Sequence, residues 1–104
     1  MPKIISPLSD TDCRNLKFMQ GGRAANRKRD GGGLFLEVMR TGRKVWRLEY
    51  RHAGKRNVAT HPEDYPRTSL SGARRWRDDL QSKLADGIDP NQHAKAEEQA
   101  RHAA

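Results

Sequence analysis

Cysteine is nearly absent from this 104-residue chain: Cys13 stands alone. One thiol forms no internal disulfide, and with four scattered histidines it gives no zinc-ligand spacing. Aromatic residues are 6 % and all apolar residues 34 %, eleven of them alanine, so the core must be thin and belong to one small domain. No apolar run approaches the roughly 18 residues of a membrane span, and Met-Pro-Lys-Ile-Ile-Ser lacks the apolar stretch of a signal peptide. A soluble, cytoplasmic chain is expected. No nucleophile, base and orienting group can be assembled from these residues, so neither an enzyme nor a cofactor, metal or small-molecule site is expected. Acidic residues are the scarcer charge, 13 Asp and Glu against 21 Lys and Arg. The net charge of +8 and an isoelectric point near 10.3 point to a polyanionic partner, nucleic acid ahead of an acidic protein or a membrane surface.

The positive charge is concentrated. Residues 40 to 56 hold Arg40, Arg43, Lys44, Arg47, Arg51, Lys55 and Arg56 against Glu49 alone. Residues 89 to 104 contain no apolar residue but alanine and carry an acidic excess, which reads as a flexible linker or tail. Residues 1 to 33 read as a short helix over Leu8 to Lys17, with Ser9 and Asp12 as a capping pair, followed by a Gly/Arg-rich loop from Gln20 to Gly33. Asp30-Gly31-Gly32-Gly33 supplies turn conformations before a strand. It leads into no helix, which argues against a phosphate-cradling loop.

From Leu34 to Ile88 the pattern describes the main domain. Leu34, Leu36 and Val38 alternate with Phe35, Glu37 and Met39, and Trp46, Leu48 and Tyr50 alternate with Arg47, Glu49 and Arg51. His52-Ala53-Gly54 is a turn, and Lys55 to Thr60 a weaker third strand with Val58 as its clearest inward residue. A helix follows, capped by Ser69, with Leu70, Ala73, Trp76, Leu80 and Leu84 on one stripe and Gly87-Ile88 as a Schellman stop. The expected fold is α+β: a three-stranded antiparallel sheet packed against a C-terminal helix, with a short N-terminal helix.

One sheet face would then stay open. It is expected to present Arg47, Glu49 and Arg51, with Lys55 and Asn57, to base edges in a DNA major groove, where Arg pairs with guanine, Asn with adenine and Glu with cytosine. Arg40, Arg43, Lys44 and Arg56 would bracket the groove on phosphates. Trp46 and Trp76 are assigned to the core. Two rivals remain. An RNA-binding module would want an exposed aromatic set that the pattern does not supply. A protein-interaction module would dock a partner on Phe35 and Met39.

Several segments in order resemble a known family: Leu8-Ser9-Asp10-Thr11 with Arg14-Asn15-Leu16-Lys17, Asp30 through Val38, Trp46-Arg47-Leu48-Glu49-Tyr50-Arg51, Gly54-Lys55-Arg56, Tyr65-Pro66, Ser69-Leu70 with Ala73-Arg74, and Gly87-Ile88-Asp89-Pro90. Together they are similar to the N-terminal arm-type DNA-binding domain of phage and genomic-island integrases of the tyrosine recombinase family, over about residues 8 to 90. The resemblance implies a non-catalytic domain whose sheet binds arm-type sites on double-stranded DNA during integration, with other integrase protomers as candidate partners. Neither Tyr50, on the inward face, nor Tyr65, before a proline, suits the family's nucleophile. The stretch Val58-Ala59-Thr60-His61-Pro62-Glu63-Asp64 is longer than the family's usual approach to Tyr-Pro and leaves the third strand's register open.

Overall fold

The computed structural model describes residues 7–22, 24–92 and 95. Its elements are helix α1 (Asp10–Asn15), a 3-10 turn (Ala24–Asn26), strands β1 (Arg27–Gly31), β2 (Leu34–Val38), β3 (Lys44–His52) and β4 (Lys55–Thr60), and helix α2 (Leu70–Ala85). The strands form one antiparallel sheet in the order β1-β2-β3-β4. The α+β class stands, but the sheet has four strands where three were expected, because Arg27–Gly31 is a strand inside the segment read as a loop.

Nothing apolar marks β1, whose sequence is Arg-Lys-Arg-Asp-Gly. It pairs because Gly32 and Gly33, at φ +62° and +88°, close a two-residue hairpin onto β2. Gly33 leaves no alternative residue: a Cβ there would overlap the carbonyl oxygen of Glu49, whose amide in turn donates to the Gly33 carbonyl at 2.9 Å.

One sheet face and α2 enclose the core. Leu34, Leu36, Trp46, Leu48, Tyr50 and Ala59 meet Leu70, Ala73 and Leu80, with Leu8 and Cys13 closing one side. The Trp46 indole donates to the Thr68 carbonyl at 2.9 Å, so the buried ring keeps its polar atom satisfied. Helix α2 behaves as its sequence demands. Ser69 accepts from the Gly72 amide, and at the other end Ile88 N and Gly87 N return to the Lys83 and Leu84 carbonyls in a Schellman stop. Helix α1 has the reciprocal Ser9–Asp12 capping box but is shorter than its expected span.

The β3–β4 hairpin decides which residues share a face. Ala53 and Gly54 both have positive φ, at 52° and 77°, forming a two-residue turn that pairs His52 with Lys55 and Arg51 with Arg56. Tyr50 therefore pairs with Asn57 and Glu49 with Val58. Val58, expected inward, is 39 % exposed on the open face, and Ala59 fills the core in its place. The expected linker at 89–104 falls mostly outside the described residues; its beginning, 90–92, is a helical turn started by Asp89, which accepts the Asn91 amide at 3.0 Å.

Candidate nucleic-acid interface

The sheet face turned away from α2 carries Arg27 and Arg29 from β1, Phe35 and Glu37 from β2, Arg47, Glu49 and Arg51 from β3, and Arg56, Val58 and Thr60 from β4. Alternation in paired strands places them together. Five guanidiniums and two carboxylates occupy one surface, and their order is regular. Arg47 Nη1 donates to Glu37 Oε2 at 3.0 Å, and Arg27 Nε to Glu37 Oε1 at 2.7 Å. Arg27 Nη1 lies 3.5 Å from Glu49 Oε1, while Arg29 reaches both Glu49 oxygens at 3.2 and 3.3 Å. Opposite charges thus alternate across three strands, and Arg27, Arg29 and Arg47 are held apart at fixed positions.

Phe35 is the hydrophobic floor of this array. Arg27 and Arg29 lie over its ring at 4.8 and 5.4 Å from the centroid, and the side chain is fully buried. Of the two residues on which the protein-interaction rival would dock a partner, Phe35 is thus withdrawn from the surface and Met39 is half-buried just after β2. The Glu49 carboxyl is held below the ordinary carboxylate range, first by the Arg29 hydrogen bond and then by the charges of Arg29, Arg27 and Arg56, against the opposing effect of burial. Arg51 and Arg56, directly opposed across β3 and β4, are exposed and form no ion pair with another described residue. Together with Glu49 and the two hairpin glycines they border a shallow depression of about 320 Å³.

The expected site residues divide. Arg47, Glu49 and Arg51 do share the open face, but both Glu49 oxygens are occupied by arginines. Lys55 and Asn57 lie on the helix-covered face, opposite His52 and Tyr50, because the two-residue turn shifts their parity. Of the residues expected on phosphates, Arg56 joins the open face and Arg40 is exposed in the β2–β3 loop. Arg43 pairs through its fork with Asp64. Lys44 Nζ donates to the Cys13 and Arg14 carbonyls at 2.7 and 2.8 Å, closing the C-terminal end of α1. Sequence reasoning missed Arg27 and Arg29 as members of the face, whereas Glu37 lies there as its alternation with Leu36 and Val38 implies. The available signal was the glycine hairpin, which implies a partner strand before it as well as after it.

Among the described residues no cluster of His, Cys, Asp or Glu is arranged to hold a metal, and no helix is long and apolar enough to cross a membrane. The model of the arm DNA-binding domain family matches residues 8–97. The chain is 35 % identical over 96 residues to the prophage integrase IntA of Escherichia coli K12, covering 91 % of this chain and 22 % of that protein. It is 42 % identical over 62 residues to the integrase of Enterobacteria phage P4, covering 59 % of the chain and 14 % of the relative. With the integrase of Shigella phage Sf6 it shares 39 % over 67 residues, or 64 % of the chain and 17 % of the relative. The chain spans about a fifth or less of the length of these relatives.

Proposed function

Because the chain belongs to the arm DNA-binding domain family, we propose that it addresses a tyrosine recombinase integrase to arm-type sites, as a non-catalytic domain acting on double-stranded DNA in the cytoplasm. The open sheet face enters the major groove. Arg47 and Arg51 offer paired donors to guanine, and Arg27, Arg29 and Arg56 extend the cationic surface toward the flanking phosphates, with Arg40 at one end. Glu49 acts on the DNA through the arginines it holds. Other integrase protomers are the candidate protein partners.

The observation that carries this reading is the alternating array of guanidiniums and carboxylates on one open face. A purely cationic sheet would grip phosphates without preference, whereas arginines held at defined intervals suit the fixed spacing of base edges. Selection of binders from a pool of random duplexes at one salt concentration tests it. The expected result is an enriched sequence bound about tenfold or more tightly than the unselected pool, with discrimination reduced by Arg47→Ala. Equal binding of all duplexes, or tighter binding of RNA helices of the same length, would overturn it.

A further inference from the structure

We propose that Glu37 is a specificity-determining positioning residue: its buried carboxylate fixes the Arg47 guanidinium in the orientation from which it reads a base. The proposal rests on the reading of the open face as a major-groove surface and names how that face discriminates.

Glu37 is 2 % exposed, in a chain with few other buried carboxylates. It does not lie in the core, and its two oxygens have separate duties, Oε1 toward Arg27 on one neighbouring strand and Oε2 toward Arg47 on the other. The pairing geometry explains the reach. Arg27 is directly opposite Glu37, whereas the residue opposite it on β3 is Val45, so Arg47 is met along the diagonal. A carboxylate in this position ties three strands together at the level of their guanidiniums.

Among the described residues, Arg47 is held only at Nη1. Its Nε is buried without a hydrogen-bond partner, and Nη2 makes no hydrogen bond with a described residue. One of the two Nη1 hydrogens is taken by Glu37, so the other and both on Nη2 remain for a ligand. These outer donors form the fork that pairs with guanine O6 and N7. An unrestrained arginine must give up rotamer freedom to present that fork, while one already fixed discriminates at the level of its geometry. Arg51, on the same strand, is exposed and has no such restraint among the described residues.

Charge and position predict opposite effects of removing Glu37. As a charge, Glu37 repels DNA, so its neutralisation strengthens binding to every duplex. As a positioning group, it makes the correct duplex differ from the rest. Glu37→Gln is therefore expected to leave binding to the unselected pool unchanged or tighter, and to reduce the ratio of selected to unselected affinity about tenfold. In an Arg47→Ala background the same substitution is expected to leave that ratio unchanged, because the group it positions is gone. Uniform weakening on all duplexes, or an equal loss of discrimination with and without Arg47, overturns the proposal.

A measurement on the unaltered chain covers the case in which Glu37→Gln does not fold. In the DNA-free protein, the side-chain nitrogen resonances of Arg47 are expected to be ordered on the nanosecond scale and those of Arg51 to be averaged. Equal mobility of the two would overturn the proposal. Failure of the wider reading would look different, since the wild-type chain would then prefer no duplex at all.

Discussion

Asp30 accepts Nε and Nη2 of Arg74 through its two carboxylate oxygens, at 2.9 and 2.8 Å, and this fork fastens the end of β1 to α2. The same carboxylate accepts the Leu8 amide at 2.8 Å and Arg77 Nη1 at 3.2 Å, while Arg74 also donates to the Leu8 carbonyl. A strand with no apolar residue is thereby joined to the N-terminal segment and to the helix on the far side of the sheet. Its other anchors are the arginines that pair with Glu37 and Glu49. Edge strand β1 is thus held electrostatically on both faces.

The Asp30 carboxyl is held below its usual value, first by the Arg74 hydrogen bond and then by the Leu8 amide and the charges of Arg74 and Arg77, despite burial. A depressed folded-state value means that the stabilisation is complete above the ordinary carboxylate range, about pH 4–5. It is lost as pH falls through the folded value. Asp30→Asn is expected to destabilise the chain at pH 7 by about 2 kcal/mol, below the figure for a fully enclosed pair because Arg74 is 36 % exposed. Thermal unfolding between pH 7 and pH 2.5 checks this: the gap between wild type and variant should shrink toward the acid end. A constant gap would deny the linkage.

Gly33→Ala places a Cβ against the Glu49 carbonyl at a φ of +88°, and both backbone segments are fixed by a ladder hydrogen bond. Gly42 has a similar φ of +90° but open space around it. Gly42→Ala should cost about 1 kcal/mol and Gly33→Ala at least about 2 kcal/mol more, since the second adds a backbone overlap to the same dihedral cost. Urea unfolding of the two variants separates the contributions. Equal losses would mean that the hairpin shifts to make room.

Apolar alternation made β2 and β3 legible, and the capped, striped segment from Ser69 to Gly87 made α2 legible, because in each the buried face is written in side-chain type. Strand β1 is not written that way. Arg27 and Arg29 are strand residues because of Glu37, Glu49 and Phe35, six to twenty-two positions away, and only the glycine turn hints at the pairing. The positions of Lys55 and Asn57 depended on a parity that a two-residue rather than a three-residue turn reverses. Lys44 shows the remaining limit: the sequence places it in a basic cluster, and only the fold brings the carbonyls of α1 within its reach. The outward-facing Arg47 and Arg51 were recoverable because their strand neighbours are unambiguous core.

Lys44→Met keeps the aliphatic stem and removes the donor to the Cys13 and Arg14 carbonyls. A stability loss of about 1 kcal/mol is expected, with little change in the salt dependence of duplex binding. Arg56→Ala should do the reverse, leaving stability within about 0.5 kcal/mol and lowering the salt slope by about one. Parallel thermal melts and salt titrations distinguish them. A slope change for Lys44→Met equal to that for Arg56→Ala would return Lys44 to the phosphate set.

Tyr50 donates its hydroxyl to Asp89 Oδ1 at 2.6 Å, linking β3 to the first turn after α2. Burial and then the Asp89 carboxylate push the phenol up to about 12. A raised folded-state value gives stability that is complete below the ordinary phenol value near pH 10 and is lost as pH rises through about 12. Tyr50→Phe should cost about 1 kcal/mol at pH 7 and remove this part of the alkaline loss. Denaturant unfolding at pH 7, 10 and 11 provides the comparison, and an unchanged alkaline slope in the variant would exclude Tyr50 as its source.

The two faces of β4 make the most direct test of the proposed DNA-facing surface. Arg56 and Asn57 are adjacent in sequence, yet Arg56 stands beside Arg51 on the open face and Asn57 beside Tyr50 on the covered one. If the open face enters the groove, Arg56→Ala should weaken duplex binding about three- to tenfold at low salt, and Asn57→Ala should change it less than twofold. Lys55, at the hairpin end on the covered side, should behave like Asn57. The comparison needs only single substitutions on an exposed strand edge, where folding is little disturbed, and melts of each variant establish that. A larger loss for Asn57→Ala than for Arg56→Ala would mean either that the DNA meets the other side of the strand or that the hairpin register changes on binding. Amide hydrogen exchange along Lys55–Thr60, with and without duplex, tells these apart, because a register change alters which β4 amides are protected and a change of face does not.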